Sequence, residues 1–342
     1  MDSMGIIVFL GLSFVVIVHE LGHFFMSKLF GVAVEEFGIG FPPKIWGKKI
    51  KETVYSLNWI LWGGFLKING LRPEVERKDL PLHTSFMRQS FYKKALIIAG
   101  GVLINFFLGW FLIFLVMMIG IPQGIFVADI KPESLAYYSG FQKGDLILDF
   151  QNADEFNSYL KESAGKEANF KIKRNGAEKD IAVIFPEQKS KTGEILGIYY
   201  SETGTAKVGI GKGIIESFKT SINLIVSYLG GYISLIGRLF TDSSAFQNLM
   251  GPIGLFAMGS LVSKAGLVYF IQLLAFLSIN LVIFNFLPFP MLDGGWFMVV
   301  LIEKIKGSPV SQKIQMIVNG FGFIVLFSLF LFTTVKDVIN LF

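Results

Sequence analysis

Val18-His19-Glu20-Leu21-Gly22-His23 has the form H-E-x-x-H and lies inside an apolar run, Met4–Phe25. His19, Glu20 and His23 are the ionisable side chains of that run. Two histidines at i and i+4 share one helix face, about one turn apart, so both imidazoles can reach one metal. Zinc suits two imidazoles and a carboxylate, with a fourth position left for water. Glu20 stands beside the first ligand and can take a proton from that water. A soluble chain could spell the same motif by chance on a solvated helix. Here a chance match would bury an unpaired carboxylate in lipid, where charge is expensive.

Outward from this motif the composition is that of an integral membrane protein. Of 342 residues, 52% are hydrophobic, 17% are charged and 36 are Phe. Cysteine is absent, so thiolate ligands and disulfides are excluded and a metal site must use nitrogen and oxygen. The histidines are His19, His23 and His83. The net charge of +5 is unevenly placed. Lys28–Lys94 holds 12 Lys/Arg against 6 Asp/Glu, whereas Pro122–Gly266 holds 15 of each. By the positive-inside rule the first segment is cytoplasmic. No basic stripe with a reading motif accompanies the excess, which argues against nucleic acid as a partner. Asp2 stands where a signal peptide would be basic, so the first run reads as a retained helix.

Residues 1–121 divide into a span at 4–25, a broken segment at 31–70, a charged connector and a second span at 95–121. In the broken segment, Gly38-Ile39-Gly40-Phe41-Pro42-Pro43 and Gly63-Gly64 interrupt β-branched and aromatic residues, which predicts short strands and a hairpin at the membrane. Its edge can pair with an extended peptide, and Gly63 and Gly64 are candidate substrate contacts. A plain cytoplasmic loop is the alternative. Asn105, within the second span, suits a bond across helices or simple packing.

Residues 122–205 have soluble composition, with strands at 125–130, 170–174 and 180–185, a helix at 153–163 and a hairpin turn at Asn175-Gly176. Residues 206–265 read as juxtamembrane helices. Within them Thr220–Gly237 either spans or lies on the surface. Residues 266–342 hold a third span at 266–292 and a last one at 314–335. Between these, Glu303, Lys304, Lys306 and Lys313 sum to +2, again suiting the cytoplasm.

A catalytic zinc needs a third protein ligand. Asp293, an acid at the end of a long apolar run, is the best candidate; His83, in the polar connector, is its competitor. If Thr220–Gly237 does not cross, the third span delivers Asp293 to the same side as His19 and His23. If it crosses, Asp293 lands some ~20 Å or more away, given a core of about 30 Å. An Asp293 ligand therefore predicts four spans.

The chain resembles the site-2 protease family of intramembrane zinc metalloproteases, in its bacterial regulator-of-sigma-E-protease type. V-H-E-L-G-H at 18–23, L-M-G-P-I-G at 249–254 and N-F-L-P-F-P-M-L-D-G-G at 285–295 carry the resemblance. So does Gly140-Phe141-Gln142-Lys143-Gly144-Asp145-Leu146-Ile147, which resembles a segment of bacterial PDZ domains. The resemblance implies a polytopic α-helical membrane protein of four transmembrane helices, with a membrane-associated β-hairpin region and one inserted α+β PDZ-like domain. It implies Zn2+ on His19, His23 and Asp293, Glu20 as general base, and Asn285 against the substrate backbone. It further implies single-span membrane substrates trimmed first by a site-1-type protease, in a bacterial inner membrane. The PDZ-like domain would be extracytoplasmic and the active site near the cytoplasmic side. Two rival classes are a peptide-holding scaffold, which leaves Glu20 unexplained, and a transporter, for which no inverted repeat is visible.

Overall fold

The computed structural model describes residues 3–71, 80–174, 176–187, 195–239, 241, 249, 251–264 and 266–341. Along the chain run α1 (Ser3–Leu29), β1 (Val34–Ile50), β2 (Thr53–Ile68), α2 (Phe91–Ile119), β3 (Ile121–Ile130), α3 (Leu135–Tyr138), β4 (Leu146–Ile147) and α4 (Ala153–Glu162). Then follow β5 (Glu167–Arg174), β6 (Ala177–Ile184), β7 (Ile198–Thr205), α5 (Ile210–Leu239), α6 (Pro252–Lys264), α7 (Leu267–Phe286), α8 (Asp293–Lys306) and α9 (Gln312–Leu341). They fall into two compact units. One comprises residues 1–113, 216–261 and 270–342, and the other 114–215 and 262–269.

The first unit is built on α1, α2 and α7. α1 and α2 approach through glycine: a Cβ on Gly22 would lie 2.2 Å from the Gly100 carbonyl oxygen. Such contact needs bare backbone on both sides, as in other close helix pairs of membrane proteins. α7 runs parallel to α1, since Gly11 packs on Phe270 and Leu274 while the later His19 meets the later Asn285. It runs antiparallel to α2, with Gly109 against Ala275 and Ile279 and Ser278 Oγ donating to the Asn105 carbonyl at 2.8 Å.

Among the described residues, five helices are long and apolar enough to cross a membrane: α1, α2, α5, α7 and α9. The expected four leave out α5, which continues unbroken through Gly230-Gly231 and joins Thr220–Gly237 to the preceding turns. α5 is oblique to its neighbours. Ser217 accepts from Trp110 Nε1 at 2.9 Å, and fifteen residues later Tyr232 donates to Asn280 at 3.0 Å. Asn280 lies two residues past Ser278, which is level with Asn105. About 22 Å of α5 thus advances only about 10 Å along α2.

In the ribbon at 31–70, β1 and β2 each fold back, so that short paired runs lie side by side: residues 36–39 pair with 64–67 on one side and with 54–57 on the other, and 44–50 pair with 53–58. The breakers at 40–43 and at Gly63 fall between these runs. The turn between β1 and β2 is Lys51-Glu52, with Lys51 in the left-handed region. One expectation is corrected here. The third span ends at Phe286 instead of Leu292. Pro288 and Pro290 lack backbone donors and stop the helix, and Asp293 opens α8.

The second unit is a five-stranded antiparallel sheet in the order β6-β5-β4-β3-β7. Ile125, Val127, Ile147, Phe156, Phe170, Ile172 and Val183 form its core with α4. Arg174 and Ala177 pair across the β5–β6 turn. Gly176 there has a positive φ, and Asn175 lies outside the described residues. Asp145 is buried and accepts from Arg174 Nε and Nη2, both at 2.7 Å, so this member of the G-D segment braces the loop before β4.

Candidate metal centre

Four elements converge on one buried point. α1 presents His19 and His23 one turn apart, with their ring centroids 4.8 Å apart and nearly perpendicular. The link after α7 turns back to place Asp293 in the first turn of α8. Gly294 and Gly295 permit that turn: a Cβ on Gly294 would stand 2.2 Å from the Leu287 carbonyl oxygen, and one on Gly295 2.2 Å from that of Phe289. The second and third letters of Asp-Gly-Gly thus hold the first in place.

His19 Nε2 lies 3.1 Å and His23 Nε2 3.3 Å from Asp293 Oδ2, and the two ring nitrogens are 3.2 Å apart. Tetrahedral ligands at about 2.0–2.1 Å from zinc stand about 3.3 Å from one another, so the three atoms already form one face of such a tetrahedron. Their chemistry fits as well. His23 Nδ1 meets the Ile97 carbonyl at 2.8 Å. A carbonyl only accepts, so Nδ1 carries a proton and His23 in its neutral form would turn an Nε2 lone pair toward Asp293. Two imidazole nitrogens and a buried carboxylate oxygen meeting at these distances are a donor set that suits a divalent cation. Both histidines are buried, at 5% and 8% exposure. His83 is exposed in a 3-10 turn and stands outside this group, which removes it as the third ligand.

Glu20 is half-buried and within electrostatic reach of His23, His19 and Asp293. Asn285 Nδ2 is 3.3 Å from His19 Nε2. Gly63 and Gly64 sit where β2 rides over α1. A Cβ on Gly63 would meet Val16 at 2.9 Å, and one on Gly64 the Gly38 carbonyl at 2.8 Å. Ser13 Oγ donates to Leu61 O at 2.7 Å nearby. The two glycines bring the ribbon within a turn of His19.

Two further residues of α2 border the group, Gly101, which escapes sequence reasoning, and Asn105, whose partner does. A Cβ on Gly101 would lie 2.4 Å from His23 Nε2 and 2.5 Å from His19 Cε1, so the α2 backbone is the back wall of the centre. Gly100-Gly101 reads as a mere part of an uncharged span unless the partner helix is known. Asn105 is fully buried, with Nδ2 3.4 Å from His19 Nδ1.

Peptidase family M50 matches residues 7–329 of the chain. The chain is 31% identical over 337 residues to CPE1693 of Clostridium perfringens, whose name likens it to zinc metalloproteases; the match covers 96% of this chain and 97% of that one. It is 28% identical over 280 residues to the zinc metalloprotease RasP of Geobacillus kaustophilus, covering 77% of this chain and 64% of that protein. It is also 28% identical over 273 residues to the regulator of sigma-W protease RasP of Bacillus subtilis, covering 77% and 63%. The chain thus spans less than two thirds of the length of these two RasP proteins.

Proposed function

The chain belongs to peptidase family M50, the assignment that its resemblance to site-2 proteases anticipates, and we propose that it is a zinc metalloprotease that hydrolyses peptide bonds within the transmembrane segments of single-span membrane proteins. One observation carries the reading: His19, His23 and Asp293 converge at 3.1–3.3 Å, buried among apolar helices.

His19 Nε2, His23 Nε2 and Asp293 Oδ2 would hold the zinc. When bound, zinc polarises the scissile carbonyl and lowers the pKa of a water at the site toward about 7. Glu20 takes the proton from the attacking water, holds it on its carboxylate and passes it to the leaving amine nitrogen. Asn285 offers an amide to the substrate backbone beside His19. A substrate helix has its carbonyls bonded internally and must unwind first. The β1–β2 ribbon provides an edge on which the opened strand can pair.

Helix direction supports a reading of four crossings. α1 and α7 run parallel with α2 between them in sequence and antiparallel to both, so the chain from α2 to α7 starts and ends on one side. On this reading oblique α5 does not cross, and the spans are α1, α2, α7 and α9. Lys28–Lys94 and the α8–α9 link are then cytoplasmic, as is the centre's side of the bilayer. The five-stranded unit, on this reading a PDZ-like domain, is extracytoplasmic in a bacterial inner membrane. It screens substrates by size, so that those trimmed by a site-1-type protease enter. Anti-sigma factors and signal-peptide remnants both have this single-span form.

The test is cleavage of a tagged single-span protein by the purified full chain in detergent, wild type beside Glu20→Gln, with zinc measured on both samples. Stoichiometric zinc in both with cleavage by the wild type alone is expected. Cleavage by both overturns the role of Glu20; absence of zinc from both overturns the metal centre.

A further inference from the structure

Of the two ring nitrogens facing away from Asp293, only one has an evident acceptor. His23 Nδ1 has the Ile97 carbonyl. His19 Nδ1 faces the side-chain amide of Asn105, on α2, at 3.4 Å. If His19 binds metal through Nε2, as the proposed function requires, its Nδ1 carries the proton and needs an acceptor. Asn105 Oδ1 is buried and has no partner among the described residues. The two ends of a side-chain amide have the same shape and exchange by a half-turn. Turning the Asn105 amide matches the unbonded acceptor to the donor that lacks one.

We propose that Asn105 is a positioning residue of the metal centre: its Oδ1 accepts from His19 Nδ1–H and thereby fixes His19 as the Nδ1–H tautomer, with Nε2 free for the metal. Three observations hold the amide in place for this. It is fully buried. Its own backbone carbonyl is tied to Ser278 Oγ of α7 at 2.8 Å. Helix α2 is pinned to α1 four to five residues earlier by the Gly100 and Gly101 contacts. The two ligand histidines are thus matched in kind, each oriented through Nδ1 by an acceptor on α2: a backbone carbonyl for one and a side-chain carbonyl for the other. Partners of this sort orient ligand rings and raise their basicity, and their loss typically weakens metal binding 10- to 100-fold. The inference depends on the zinc reading for its consequence, whereas the tautomer itself is a property of the metal-free protein.

The experiment uses both. The chain has three histidines, so nitrogen-15 histidine spectra of the full metal-free protein in detergent resolve each ring, with His19→Ala and His23→Ala for assignment. Nδ1–H on His19 is expected, and Nε2–H there overturns the proposal. Zinc affinity is then measured by competition with a chromophoric chelator for wild type, Asn105→Leu and Asn105→Asp. Leu keeps the volume and loses the acceptor, so binding 10- to 100-fold weaker than wild type is expected. Asp keeps an acceptor and stays closer to wild type. Packing alone would leave Leu like wild type, and that result overturns the proposal. A wild type that binds no zinc but shows Nδ1–H on His19 refutes the metal reading and leaves the hydrogen bond standing.

Discussion

Gly101 has no room for a side chain because the two imidazoles occupy it. A methyl there would press on His23 Nε2 and His19 Cε1 at 2.4 and 2.5 Å. Neither ring can retreat without breaking its geometry to Asp293, so α1 and α2 must separate instead. Overpacking of this kind costs about 1–3 kcal/mol, and here the strain falls on the ligand set. Gly101→Ala is therefore expected to lower zinc affinity at least tenfold while the protein still purifies as a monodisperse species; an unchanged chelator-competition curve would refute the wall. At this scale the sequence exposes the ligands but hides their surroundings. H-E-x-x-H and Asp-Gly-Gly announce themselves by placing charge in apolar runs. Gly101 works only through what α1 brings opposite it, and nothing in its own neighbourhood marks it; Asn105 stands out as a polar residue in an uncharged span, but the sequence does not name His19 as its neighbour.

The ribbon has an electrostatic knot at its root. Glu36 of β1 accepts from Ser56 Oγ of β2 and pairs with Lys44 and Lys67, each contact at 2.8 Å. Burial works upward on this carboxyl. The two lysines and the serine outweigh it and hold the pKa down to about 2, against an ordinary 4.5. A depressed carboxyl stabilises the folded form above its unfolded value and ceases to do so once protonated. The Glu36 contribution is thus full above pH 4.5 and is lost as pH falls toward 2. Three of the five tryptophans, Trp46, Trp59 and Trp62, lie on β1 and β2 and report it. Tryptophan emission should change between pH 4.5 and 2 in the wild type, and Glu36→Gln should show the altered emission already at neutral pH. Identical profiles would mean that the knot does not hold the ribbon. The same element shows what spacing can and cannot tell. The breakers at Pro42-Pro43 and Gly63 do separate short paired runs, but the placing of 36–39 between 64–67 and 54–57 depends on residues distant in sequence. α7 hides its end: its apolar spelling runs on to Leu292, but two prolines stop the helix at Phe286.

For the whole molecule the open quantity is how often the chain crosses. Parallel α1 and α7 are compatible with an α5 that leaves and returns on one side. Because the chain has no cysteine, single cysteines at Lys212 and Thr241 can be labelled without background. An impermeant maleimide is expected to reach both from outside in spheroplasts. Labelling of the two from opposite faces would make α5 a fifth span and would be irreconcilable with the directions of α1 and α7. Membrane class was legible from composition, and spacing gave three strands and one hairpin of the sheet at 121–205, without β4 and β7. The path between α2 and α7 was not legible, since length and apolarity alone do not tell a tilted helix from an upright one. Finally, on the proposed zinc reading the ligand set carries a schedule. Asp293 follows His19 by 274 residues, so the two histidines are made long before the carboxylate that would join them. The centre would then close only once α7 lies parallel to α1, and zinc binding would report that the two helices had taken the same direction.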